Sequence, residues 1–216
     1  MGVVRFRTPE DDIRCGYLLD STIIDLGDRQ PHDALMNLPE ALSSERLVRS
    51  SKQVKLLPPV DPGTIVRLDG CYEHDVTDEP DPHLGELASG ERPSLWVSPT
   101  SSFAVGDTDV PLPTMTDDVR PGVELGLLVG KQVRHLTPKE ASEYIAGYTV
   151  CRTLKAYDQH PGLYGYRMFP GFLGIGPSAV PEVELPVALG IRRDNKTVDR
   201  SSTAHLRFSI ADLVSY

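Results

Sequence analysis

Excess positive charge is missing from this 216-residue chain, whose formal net charge is -9. That argues against nucleic acid and against an anionic membrane surface as partners, because both select for clustered Lys and Arg. An anionic substrate is not favoured by overall charge either, so it requires a local cluster of cations. Cysteine is scarce. Cys15, Cys71 and Cys151 are an odd number without metal-site spacing, and they read as reduced thiols in a cytoplasmic protein. No apolar run approaches the roughly 20 residues of a membrane helix. The opening MGVVRFRTPEDD lacks the apolar stretch of a signal peptide, so none is expected. Also absent are a G-x-S-x-G elbow, a P-loop and an H-E-x-x-H helix. Gly174-Ile175-Gly176-Pro177 is no dinucleotide fingerprint, since proline follows the second glycine. There is no internal repeat and no low-complexity tract.

Turn formers are plentiful, with 19 prolines and 18 glycines, and they point to a β-rich body. Strands are predicted at 3–7, 15–19 and 22–26, with Asp20-Ser21 turning a hairpin. Residues 32–52 are polar and weakly helical, with Leu35, Leu38, Leu42 and Leu47 as the apolar stripe. Further strands are expected at 64–68, 95–97, 102–105, 123–129 and 148–154. Residues 72–94 form a long acidic stretch of the kind that serves as a lid or stays disordered. Thr137-Pro138-Lys139-Glu140 is a helix start with capping-box spacing, predicted to run to about Ala146 and stop at Gly147. Residues 159–177 read as loop and 185–200 as a hairpin turning at Asp194-Asn195-Lys196. Ser209 and Asp212 cap a last helix. Many strands with few helices predict an all-β or α+β roll.

One residue interrupts this pattern. Glu124 lies inside the apolar run 123–129, and an isolated buried charge is too costly. It must face a cavity, be protonated, or pair with a cation.

The runs PGTIVRLDGCYEHD, PSLWVSPTSSFAVGD, VELGLLVGK, LTPKEASEYIAGYTV, FLGIGP and STAHLRFSIADLVSY, in that order, resemble the fumarylacetoacetate hydrolase family over residues 54–216. EASEYIAGYTV is the most specific of them. The resemblance implies an α+β, mostly β fold, a mixed β-roll. A small antiparallel N-terminal subdomain is expected at 1–53 and the roll at 54–216, with the family's C-terminal strands missing after Tyr216. It also implies a divalent ion, usually magnesium, at the mouth of the roll. The activities implied are cleavage, decarboxylation, hydration or isomerisation of 2-oxo and enol acids.

Carried over residue by residue, much of the family's site is replaced. The Glu-x-Glu-Leu strand reads Gly122-Val123-Glu124-Leu125, so only Glu124 remains of its glutamates. The Asn-Asp after GYTV reads Arg152-Thr153. A lysine position in LWVSP is Ser98, and a Lys-x-x-Asp element is Arg167 through Pro170. The lid's His-x-x-Glu dyad keeps His74, while its glutamate position is Thr77 and Glu79 lies two residues late. Magnesium seeks octahedral oxygen ligation with one or two carboxylates. Glu124 beside an arginine offers it poorly, and Arg152 is expected to face Glu124 in place of the cation.

His74, Glu79 and Glu124 are therefore the candidate acid/base residues, and Glu124 is also the residual metal ligand. Arg152, Arg167, Lys155, His160 and Tyr164 are the candidate substrate contacts. The simpler readings are a solvated lid for His74 and Glu79, an ion pair for Glu124, a loop histidine for His160, and stacking on aromatics for Arg167. Strand alternation lets at most one of Arg152 and Lys155 enter a common pocket. The expected function is an enzyme acting on a small oxo or enol acid, with or without magnesium, as a homodimer or as a heteromer with a homologue. The alternative is a non-catalytic subunit that keeps the roll for assembly.

Overall fold

Near-continuous apolar patterning at the chain start becomes a strand buried on both faces. In the computed structural model, which describes residues 1–42, 47–73, 92–104, 108–158 and 165–216, this strand lies inside the largest sheet. In chain order the elements are β1 (Gly2–Arg7), β2 (Ile13–Leu19), β3 (Thr22–Gly27), α1 (Pro31–Met36), α2 (Leu38–Leu42), β4 (Val48–Ser50), β5 (Lys55–Leu57), β6 (Ile65–Asp69) and β7 (Ser94–Ser98). They continue with β8 (Phe103–Ala104), β9 (Val119–Val129), α3 (Pro138–Ala141), β10 (Ile145–Ala156), β11 (Leu173–Val180), β12 (Ala188–Arg193), β13 (Lys196–Ser202) and α4 (Ile210–Ser215).

Among the described residues, nine strands form the main sheet. Its path is β4-β3-β2-β1-β11-β10-β9, with β5 also on β1 and β8 on β11. The β8–β11 pair is parallel and the rest are antiparallel, so the fold is an α+β, mostly β, mixed roll. Residues 1–53 supply β1 to β4, and β1 joins β11 through Val3↔Ala179 and Val4↔Ser178. The N-terminal strands are thus continuous with the strands that carry the site. β6–β7 and β12–β13 are separate two-stranded sheets, and the second packs against β9.

Two cores hold β1 in place. Val3 packs with Leu26, Leu128, Ala146 and the α1 residues Ala34 and Leu35. Val4 and Phe6 point to the other face and pack with Ile23. Full burial of Phe6 is worth about 1.5–3 kcal/mol. A third cluster, Ala156, Tyr166 and Phe172, closes the far end of β10.

Three expectations about local structure need correction. The helix after Thr137 has its capping box, with the Thr137 amide donating to Glu140 at 3.0 Å, yet it ends at Ala141. A 3₁₀ turn follows, and the chain enters β10 at Ile145, because the Gly130 amide captures the Tyr144 carbonyl at 2.9 Å. Gly147 is no helix stop. A Cβ there would come within 2.6 Å of the Val180 carbonyl, so glycine permits β10 to approach β11. The 159–177 stretch is not loop throughout, since FLGIGP supplies most of β11, bonded to both β1 and β10. The helical stripe does not extend to Leu47, which is exposed and precedes β4.

Candidate active site

β6 alternates. Val66 faces outward, while Arg67 and Asp69 are buried on the inner face. On β7, Trp96 lies directly across from Arg67 and is buried with it. The Arg67 guanidinium sits 4.6 Å from the centre of the Trp96 ring. Stacking on an indole face provides a weakly hydrated guanidinium with a favourable buried environment. The indole N–H donates to Asp69 Oδ2 at 2.9 Å, and Arg167 Nη1 donates to Asp69 Oδ1 at 2.7 Å. Arg167 in turn lies 5.0 Å over the ring of Tyr166.

β9 and β10 form the facing wall. Their register sets Glu124 opposite Cys151 and Gly122 opposite Thr153. Directly paired residues of an antiparallel ladder share a face, so these four positions converge on one surface. Arg67 Nη2 donates directly to Glu124 Oε1. The Arg67 side chain is 5% exposed and that of Glu124 37%, so the carboxylate opens toward a cavity while Arg67 packs against it in the cavity wall. The cavity holds about 1040 Å³ and is lined by Arg67, Glu124, Thr153, Lys155 and Arg167, among others.

Electrostatics favour an ionised Glu124. Burial pushes its pKa up, but Arg67, Arg167 and Lys155 together outweigh burial and hold it below the ordinary glutamate value. Arg167 is raised for the complementary reason: burial lowers it, and Asp69, Tyr166 and Glu124 together more than compensate. Cys71 and Cys151 also line the cavity. Burial, reinforced by Glu124 for both and by Asp69 for Cys71, pushes each thiol up to about 12. Neither is a thiolate at neutral pH, so neither is a ready nucleophile.

The sequence-derived candidates divide into three groups. Glu124, Lys155 and Arg167 meet at the cavity, with Arg167 both paired to Asp69 and stacked on Tyr166. Arg152 does not face Glu124. Alternation along β10 turns it to the opposite face, where Nη2 donates to the Gly171 carbonyl at 3.2 Å and the guanidinium packs over Gly174. A Cβ at Gly174 would lie 3.2 Å from Arg152 Nη2. The cation on Glu124 is Arg67 instead. His74, Glu79, His160 and Tyr164 lie outside the described residues.

Arg67, Asp69 and Trp96 were not singled out from the sequence. Their signal was present in IVRLD, where two charges spaced by two interrupt an apolar strand and must share one face.

The fumarylacetoacetate (FAA) hydrolase C-terminal family matches residues 64–216. The chain belongs to the fumarylacetoacetate hydrolase family. It is 26% identical over 242 residues to the fumarylacetoacetate hydrolase domain-containing protein 2 homolog of Dictyostelium discoideum, covering 96% of this chain and 76% of that protein. It is 27% identical over 146 residues to the mitochondrial oxaloacetate tautomerase FAHD1 of Arabidopsis thaliana, covering 62% of this chain and 66% of the relative. Three archaeal relatives are spanned over only 55% to 65% of their length. Among solved structures, 5-carboxymethyl-2-hydroxymuconate delta-isomerase from Mycobacterium smegmatis shares the fold with a TM-score of 0.74 at 18% identity, covering 100% of this chain and 81% of that one.

The family generally uses a divalent metal. The carboxylate positions carried over from it are Gly122, Glu124 and Thr153, which the β9–β10 register brings to one surface. Glycine and threonine there leave one carboxylate, and Arg67 already neutralises it. Among the described residues, no group of three or more His, Cys, Asp or Glu side chains converges as a ligand set. The described residues do not fit a divalent ion.

Proposed function

We propose that the protein is an enzyme acting on a small 2-oxo or enol acid, by C–C bond hydrolysis, decarboxylation or isomerisation. The observation that carries this reading is the charge of the cavity. Among the described residues around Glu124, the lining brings Arg67, Lys155 and Arg167 together with only Glu124 and Asp69 as carboxylates, in a chain whose net charge is -9. That local excess supplies the cationic cluster a carboxylate substrate requires.

Glu124 is the proton carrier in this proposal. Ionised and open to the cavity, it takes a proton from the carbon beside the oxo group. Arg67 and Lys155 stabilise the developing enolate, with the largest benefit where water is excluded. Asp69 fixes the neighbouring Arg167 by a 2.7 Å bond. His74 and Glu79 belong to the same proposal as lid residues. The relatives named above as a tautomerase and an isomerase support an enolate-forming reaction class. We also propose a dimer, of this chain or with a homologue. The outward face of β6–β7, where Val66, Leu95 and Val97 are exposed, offers apolar surface to cover. A cytoplasmic setting is part of the proposal.

The experiment is a turnover assay with oxaloacetate and with acylpyruvates, following enol absorbance and product acid, with and without added divalent ions. Glu124→Gln is expected to lower kcat by roughly 10²–10⁴-fold. Absence of turnover with every one of these acids under both conditions sinks the reading. A second reading, a non-catalytic subunit of an intact homologue, is favoured by Gly122, Thr153 and Ser98 at the family's chemical positions. It predicts co-purification with that homologue and no turnover by this chain alone.

A further inference from the structure

We infer that the guanidinium of Arg67 takes over the work of the family's divalent ion and binds the carboxylate or enolate oxygens of the ligand directly. The inference rests on the oxo-acid reading above and specifies how that site holds its ligand.

Three observations carry it. First, the register of β9 and β10 brings Gly122, Glu124 and Thr153 together where a ligand set would form, and two of the three carry no carboxylate. Second, Arg67 lies across this gap. It comes from β6, a different sheet, and contacts Glu124, so its charge occupies the one carboxylate left. Third, Arg67 has donors to spare. One nitrogen, Nη2, is used on Glu124, while Nε and Nη1 are buried with no hydrogen-bond partner among the described residues. The hydroxyl of Thr153, fully buried and also lining the cavity, is likewise without a partner.

Buried donors are rarely left unsatisfied, because each forfeits its hydration without a replacement. Nε–H and Nη1 lie on different edges of the guanidinium, so each can donate to a separate ligand oxygen, and the unpaired Thr153 hydroxyl lines the same cavity. The guanidinium is held over the Trp96 ring, which restrains it before a ligand arrives and reduces the ordering cost of binding. Glu124 competes with the ligand for Arg67. It therefore tunes affinity downward, the reverse of what a metal-ligating glutamate does. That difference in sign makes the inference testable.

The test measures binding of oxalate, a planar dianion that mimics an enolate, by calorimetry in EDTA and again with magnesium. Manganese binding is followed separately by electron paramagnetic resonance. The expected result is equal oxalate affinity with and without EDTA, and no manganese signal assignable to the protein. Arg67→Met should weaken oxalate by roughly tenfold or more. Glu124→Gln should tighten it, and this variant decides the matter where Arg67→Met fails to fold. Oxalate binding that requires a divalent ion, or that is unchanged or weakened in Glu124→Gln, overturns the inference and leaves the oxo-acid reading standing. Failure of oxalate to bind under either condition overturns both.

Discussion

Asp25 and Glu124 are both carboxylates gripped by arginine, in two parts of one roll, and they differ in what is left over. The Asp25 side chain is fully buried, and both of its oxygens are in use. Oδ1 accepts from Arg14 Nε and the Gly27 amide, and Oδ2 from Arg14 Nε and Arg49 Nε, all at 2.9 Å. Those arginines come from β2 and β4, so the cluster ties together the strands on either side of β3. At Glu124 the grip is one-sided. The carboxylate opens onto a cavity, and its arginine retains two buried donors without partners among the described residues. An arginine–carboxylate pair is thus not in itself a sign of function. The informative feature is unspent hydrogen-bonding capacity beside open volume.

Asp69 is the sharpest place to break this contrast. Asp69→Ala removes the carboxylate that accepts from Arg167, which is 1% exposed, and from the Trp96 indole. A loss of about 3–5 kcal/mol in urea unfolding is expected, because a buried ion pair loses its anionic member. A loss below about 1 kcal/mol would mean that the pair behaves like a surface contact.

Asp25→Ala should cost less, about 2 kcal/mol, since Arg14 and Arg49 can reach water once released. Oxalate affinity should not change. A changed affinity would undo the separation between a structural and a functional cluster.

Acid unfolding should report the Asp25 cluster directly. Arg49, the Gly27 amide and Arg14 hold Asp25 below its ordinary value of 3.8 despite the opposing effect of burial. A lowered carboxylate contributes stability that is complete above the unfolded value and lost as pH falls through the folded one. Thermal melts taken downward from pH 5 should therefore show a steep loss below about pH 4 that is shallower in Asp25→Asn. An unchanged acid limb in that variant would remove Asp25 from the account.

Thr153→Val carries the smallest effect and the opposite sign. Replacing an orphan buried hydroxyl with an isosteric methyl should be neutral or stabilising by up to about 1 kcal/mol, while oxalate binding weakens. Destabilisation in calorimetric melts would indicate that the hydroxyl already has a partner.

Part of this was legible in the chain. The hairpin β2–β3 turns at Asp20, with φ of 53°, where the polar turn pair stands. Asp194 and Asn195 turn β12 into β13 with φ of 51° and 61°, as short polar residues tolerate. The caps at Thr137 and Ser209 formed, because both depend only on residues three apart. Glu124 stood out as a charge in an apolar run. The helix length after Thr137 and the strand at FLGIGP were missed for one shared reason. Local propensity governs neither, since the Gly130 amide and the edges of β1 and β10 recruit those segments from far along the chain. Arg152 was the expected partner of Glu124 because it neighbours the site in sequence. Alternation turns it away from Glu124, and Arg67 reaches that carboxylate from β6, a strand of a different sheet.

Composition and spacing alone determined a β-rich roll, its capped turns and one out-of-place carboxylate, because these follow from side-chain period and short-range hydrogen bonding. Which cation answers that carboxylate, and which donors remain unspent, was decided by strands 57 residues apart meeting across a cavity. Long-range register has no local signature, so that partnership exists only once the sheets have formed.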